Sequence, residues 1–98
     1  MKLKDVRVFL TVAKDSGYRF EGRYCVKQLY YDMNYMVEIK IDLTSGDINI
    51  SAVTILSGID ITEELTLEDC KYLLRNIDYL VDFETDKRLT YEEKQLNN

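Results

Sequence analysis

The sequence predicts an α+β domain: a four-stranded antiparallel β-meander covered by one amphipathic C-terminal helix, with a short terminal helix after it. Three observations predict it. Apolar residues alternate with polar ones at period two through most of the first 56 positions, the signature of strands with one dry face. After Thr66 the apolar period changes to 3.6, the signature of a helix with one dry stripe. The chain has 98 residues, 46% of them hydrophobic, which suits one core and one domain spanning residues 1–98.

The elements follow in order. Val6, Val8, Leu10 and Val12 alternate with Arg7, Phe9, Thr11 and Ala13, which reads as a strand over about 5–13 with the valines inward. Lys14 to Gly17 form a turn in which Gly17 is free to take positive φ. An extended stretch follows over about 18–31, with Gly22 marking a bulge or bend. Its phase is ambiguous, because Tyr24, Val26 and Tyr30 compete with Cys25, Leu29 and Tyr31 for the buried side. After an Asp32-Met33-Asn34 turn, Tyr35, Val37, Ile39, Ile41 and Leu43 give the cleanest strand, over about 35–43. Thr44 to Asp47 close a hairpin onto a strand over about 47–56. Residues 59–65 are an acidic connector.

Leu67, Cys70, Leu73, Leu74, Ile77, Leu80 and Val81 then share one face of a helix placed over about 67–84. Thr66 is its N-cap, and Asp69 completes a capping box with Asp in place of Glu. Thr90 with Glu93 is a second capping box, before a short helix over about 91–96.

Charge narrows the function. The net charge is −5, unevenly spread. Residues 1–27 carry seven basic and three acidic side chains; residues 28–86 carry three basic and thirteen acidic ones. A net-acidic chain is a poor general binder of nucleic acid, since phosphates repel carboxylates. The acidic stretch favours a basic surface on a larger protein. Two cysteines, Cys25 and Cys70, make no disulfide framework and read as small buried hydrophobes. The lack of a disulfide framework and of a signal-peptide pattern reads as a cytoplasmic setting with both thiols reduced, and no apolar run approaches the roughly 18 residues of a membrane span.

The usual catalytic devices are missing from the sequence. There is no histidine, so no Ser-His-Asp or Cys-His arrangement. The four glycines, at 17, 22, 46 and 58, make no phosphate-binding loop. Two distant cysteines without histidine make no zinc site, and Asp82, Glu84 and Asp86 point apart on a helix. Glu38 and Asp42 lie about 14 Å apart by strand rise, too far for paired-carboxylate chemistry. The expectation is a non-enzyme without cofactor or metal.

Three surfaces are candidates for binding. Opposite the apolar stripe of the expected helix lie Glu68, Tyr72, Arg75, Tyr79 and Asp82, and Tyr72 and Tyr79, seven apart, stack nearly above one another. With Glu64 and Asp78 nearby, this is a Tyr-Arg-Tyr patch ringed by acids, the composition of an interface centre. The competing view is that the terminal helix folds back over these tyrosines. Second, Tyr24, Tyr30, Tyr31, Tyr35 and Phe20 gather near Arg19, Arg23 and Lys27, as in single-strand platforms. Third, nine acids between Asp60 and Asp86 could imitate a line of phosphates.

No family motif is matched residue by residue. A small, acidic, tyrosine-rich, histidine-free chain is similar to many accessory proteins of bacteriophages and mobile elements, anti-CRISPR inhibitors among them. That resemblance implies an inhibitor occupying the basic surface of a host nucleic-acid-handling protein. The alternatives are a self-associating assembly protein, homodimeric through a sheet edge or the tyrosine hairpin, and a single-strand binder using the basic N-terminal third.

Overall fold

The computed structural model describes residues 1–31, 33–84 and 86–96. Among them the order is β1 (Lys2–Leu3), α1 (Val6–Val12), β2 (Arg19–Glu21), β3 (Tyr24–Tyr31), β4 (Tyr35–Asp42), β5 (Ile48–Thr54), α2 (Leu67–Leu73), β6 (Val81–Asp82) and α3 (Tyr91–Leu96). Short 3-10 turns occupy Thr62–Glu64 and Asp78–Leu80. The class is α+β: strands β2-β3-β4-β5 form a four-stranded antiparallel meander, and β1 pairs with β6 in a second, two-stranded sheet.

The meander is built from different strands than the alternation predicts. The segment expected as a strand over 5–13 is α1. Asp5 caps it, its carboxylate accepting from the amides of Arg7 at 2.9 Å and Val8 at 3.4 Å. Phe9 and Ala13 are fully buried, with Val6 and Val12 packed beside them, so positions 6, 9, 12 and 13 make a helical stripe. Val8 and Leu10, which a strand would turn inward, are exposed. The helical segment closes with the Tyr18 amide on the Ala13 carbonyl and the Gly17 amide on that of Lys14. That Schellman pattern requires the left-handed φ of +91° found at Gly17.

The stretch expected as one strand over 18–31 is a hairpin. Of the bulge or bend expected at Gly22, the structure has the bend: at φ +60° it begins the tight turn between β2 and β3. This split restores the count of four strands. The register settles the phase: Cys25 faces Ile41, Leu29 faces Val37 and Tyr31 faces Tyr35, on the core side. Tyr24, Val26 and Tyr30 lie on the outer face opposite Asp42, Lys40 and Met36. Strands β4 and β5 lie within a residue or two of the expected 35–43 and 47–56. In the turn between β3 and β4, Asp32 lies outside the described residues.

The helix expected over 67–84 ends at Leu73. Its N-terminus is as expected, with Thr66 and Asp69 forming a reciprocal capping box. Beyond it, the Ile77 amide bonds the Leu74 carbonyl and the Leu80 amide bonds that of Ile77. This spacing of three keeps Leu74, Ile77 and Leu80 buried, so the apolar stripe continues after the α-helix has stopped. Asn76 and Asp78 are poor helix interior residues, and Val81 is claimed by its pairing with Leu3. The core therefore joins the inner sheet face to residues of α1, α2 and this 3-10 segment, where one continuous helix was expected to cover it. The short helix over 91–96 is found as expected, with the Glu93 amide on the Thr90 hydroxyl at 3.1 Å.

The outer edge of β5 is capped. The Ile48 amide bonds the Met1 carbonyl, the Ala52 amide bonds Thr62 Oγ1, the Ala52 carbonyl takes the Ile61 amide, and the Ile50 carbonyl takes Arg88 Nη2 at 2.6 Å. An edge so occupied is closed to strand addition.

Candidate protein-binding face

Helix α2 presents Tyr72 outward, 58% exposed. Arg75, in the turn just after the helix, folds back over it. Its guanidinium lies 4.3 Å from the Tyr72 ring centre, and Nη1 donates to the Tyr72 carbonyl at 3.0 Å. Cation and ring thereby hold one another in place on the surface. Beside them, Tyr31 and Tyr35 are stacked, with ring centres 5.5 Å apart and planes 15° from parallel. Burial pushes the Tyr31 hydroxyl above its ordinary pKa, with neighbouring Tyr72 adding to the effect and Arg75 opposing it. The three tyrosines border a small cleft of about 110 Å³ that Asp69 also lines.

The structure divides the expected patch. Tyr72 and Arg75 stay together and gain Tyr31 and Tyr35. Tyr79, 59% exposed, and Asp78 sit past the end of α2 in a shallow depression with Lys71 and Phe83, so Tyr79 is not one helical repeat above Tyr72. Asp82 lies in β6, where its carboxylate accepts the Glu84 amide at 3.0 Å. Glu68 accepts the Tyr91 amide at 2.6 Å and so anchors α3. Glu64 uses its carbonyl, which takes Lys94 Nζ at 2.8 Å. Helix α3 docks at these points and leaves both tyrosines exposed, so the view that it folds back over them is set aside.

Tyr31 and Tyr35 were expected in the hairpin platform and not in this patch, because they precede the helix by more than thirty residues. The signal was present in part: Tyr35 is in phase with Val37, Ile39 and Ile41, on the inner sheet face.

The other two candidates lose ground. Several of the nine acids hold the chain locally. Asp60 binds Thr62, Asp69 caps α2, Asp86 accepts the Arg88 amide, and Glu68 and Asp82 act as above, which disperses the supposed line of phosphates. The tyrosine hairpin splits across the sheet, with Tyr24 and Tyr30 outside and Tyr31 and Tyr35 inside. Its cations are engaged: Arg19 with Glu21 and Arg23 with Asp42, both at 2.9 Å, and Lys27 with the Ser16 carbonyl at 2.7 Å. Tyr24 lies under both Arg23 and Lys40.

A further exposed surface lies at the end of the sheet. The Ile55 amide bonds the Asn34 carbonyl, which joins two neighbouring turns. Met33, at 86% exposure, and Leu56, at 98%, project from them beside Tyr30 and Ile55. Among the described residues no helix is long and apolar enough to cross a membrane, and no three cysteine, aspartate or glutamate side chains gather in a way that could hold a metal ion. No family model, curated protein or solved structure matches the chain.

Proposed function

We propose that this protein is a non-enzymatic binding protein that docks on a basic surface of a larger protein through the face around Tyr72 and Arg75. The observation that carries the reading is the stacked Tyr72-Arg75 pair, exposed and flanked by Tyr31 and Tyr35. Tyrosine and arginine dominate the energetics of protein interfaces, and rings held in place lose little entropy on docking. The net charge of −5 supports a basic partner, since long-range attraction speeds encounter. Within this reading, the partner is a nucleic-acid-handling enzyme of a host cell, and the protein is an inhibitor of the phage or anti-CRISPR kind.

The test is affinity capture from a bacterial lysate with a salt-gradient elution, comparing the parent with Tyr72→Ala and Arg75→Ala. The expected result is one nucleic-acid enzyme released at moderate salt, with each variant weakening its binding by roughly 2 kcal/mol or more. Capture unchanged by both substitutions in folded protein would exclude this face.

A second reading, self-association, is favoured by the uncharged projection of Met33 and Leu56. The capped β5 closes one edge of the meander, and the seam this reading takes is the projection. Sedimentation showing a monomer at millimolar concentration would end it.

A further inference from the structure

We propose that the cleft between Tyr31, Tyr35, Tyr72 and Asp69 is a receptor for an alkylammonium group. The inference rests on the reading of this face as a binding site and names what it grips. Three phenol rings border the cleft, and Val37 and Leu73, both buried, contribute to its floor. The faces of aromatic rings are negative, and a cation within about 6 Å of a ring centre is attracted to it. Rings gathered around an apolar floor suit a cation that carries methyl or methylene groups better than a bare ion, because the alkyl surface is removed from water as well.

Asp69 supplies the counter-charge. One of its carboxylate oxygens accepts the Thr66 amide at 2.9 Å, which fixes the group in the capping box. The carboxylate of this cleft-lining residue is therefore fixed by a hydrogen bond of the box that starts α2. The size also agrees: about 110 Å³ exceeds the share of liquid volume that one water takes, ~30 Å³, and falls below a ~150 Å³ cavity that holds benzene. A trimethylammonium head or the end of a lysine side chain falls in that range.

Tyr72 already binds a cation in this structure, since Arg75 lies 4.3 Å from its ring centre. Arg75 is not among the residues bordering the cleft. Its charge nonetheless opposes a second cation nearby, and this makes it a built-in competitor. Removing it should strengthen ammonium binding while weakening any partner contact that Arg75 itself makes. Opposite effects of one substitution on two readouts are not what a merely structural role predicts.

The shared chemistry, an alkylammonium in an aromatic cleft, has two sources: a lysine side chain of the basic partner or a small free quaternary amine. The experiment is an NMR titration of the intact chain, following the ring resonances of Tyr31, Tyr35 and Tyr72. The probes are choline and its neutral carbon isostere, 3,3-dimethylbutan-1-ol. Choline is expected to shift the three rings saturably, with the isostere at least tenfold weaker. Tyr72→Ala and Asp69→Asn should each weaken choline at least fivefold, the latter keeping an acceptor for the Thr66 amide, and Arg75→Ala should strengthen it. Equal binding of choline and the isostere, no saturation at 50 mM choline, or an unchanged Asp69→Asn variant would overturn the proposal.

Blocked lysine and blocked trimethyllysine amino acids then separate the sources. Tighter binding than choline assigns the cleft to a partner's side chain, and weaker binding assigns it to a free amine. The titration needs no partner, so its failure is distinct from that of the docking face. Capture that depends on Tyr72 and Arg75 without any ammonium binding would leave the face standing and remove the cleft's role.

Discussion

Met33 is the one non-glycine among the described residues with a positive φ, at 59°, and its side chain points almost wholly into solvent. A left-handed conformation costs an L-residue roughly 1–2 kcal/mol, which glycine avoids at the expense of a more flexible unfolded chain. Met33→Gly is expected to raise stability by about 0.5–1 kcal/mol, read as a shift of the urea midpoint; an unchanged or lowered midpoint would show that the turn carries no strain. Cys25 and Cys70 make the opposite case, being entirely enclosed. Burial pushes both thiols up, Cys70 to about 11. Since the thiolate is the reactive form, iodoacetamide at pH 8 should modify neither thiol in the native protein and both in urea, as mass spectrometry would report. Rapid native labelling would place a thiol nearer the surface than described. Asp5 carries the start of α1, and Asp5→Ala should cost about 1 kcal/mol in the same urea assay.

At the scale of elements, α1 offers the sharpest test. Phe9 is enclosed and meets Tyr18 edge-on, with ring centres 5.3 Å apart. Phe9→Ala should cost about 3–5 kcal/mol. Val8→Lys and Leu10→Lys, on the exposed side, should change stability by less than about 0.5 kcal/mol. A strand in this place would reverse that order. The alternation that suggested the strand is real but short. Over Val6 to Ala13, periods of 2 and 3.6 share several positions, and only the cap at Asp5 and the pairing of Phe9 with Ala13 break the tie. In β4, by contrast, four inward residues at strict alternation leave one solution, and the element was legible to within one residue. Helix α2 shows a third case. The stripe from Cys70 to Val81 was read correctly as buried, yet a spacing of three cannot tell a 3-10 turn from an α-helix, so the length was overestimated. Half of the candidate site was legible for the same reason: Tyr72 and Arg75 are local neighbours, whereas their meeting with Tyr31 and Tyr35 is a product of the tertiary fold.

For the molecule as a whole, the absence of histidine sets the response to pH. Asp42 is held below the ordinary carboxylate range, first by the Thr44 amide; Asp60 likewise, first by the Thr62 hydroxyl. A lowered folded pKa means stability that is present above the unfolded value, near 3.8, and lost as pH falls through the folded one. The thermal midpoint should therefore be level between about pH 6 and 8 and decline below about pH 4. A midpoint that changes steeply near pH 6.5 would contradict this, since no side chain here has an ordinary pKa in that range. Binding to a basic partner should weaken as salt rises, since the Debye length shortens from ~30 Å at 0.01 M to ~8 Å at 0.15 M.

The pairing of β1 with β6 brings Leu3 against Val81, and the Met1 carbonyl takes the Ile48 amide between them in sequence. During synthesis these partners become available at very different times. Ribosomes add about 5–20 residues per second, so roughly 4 to 16 s separate the appearance of Leu3 from that of Val81. Leu3, buried in the finished molecule, spends that interval without its partner strand, while the β2-β3-β4-β5 meander can close as it is made. Of the two strands in this small sheet, β1 thus waits for β6 with only its bonds to Gly46 and Ile48 to hold it.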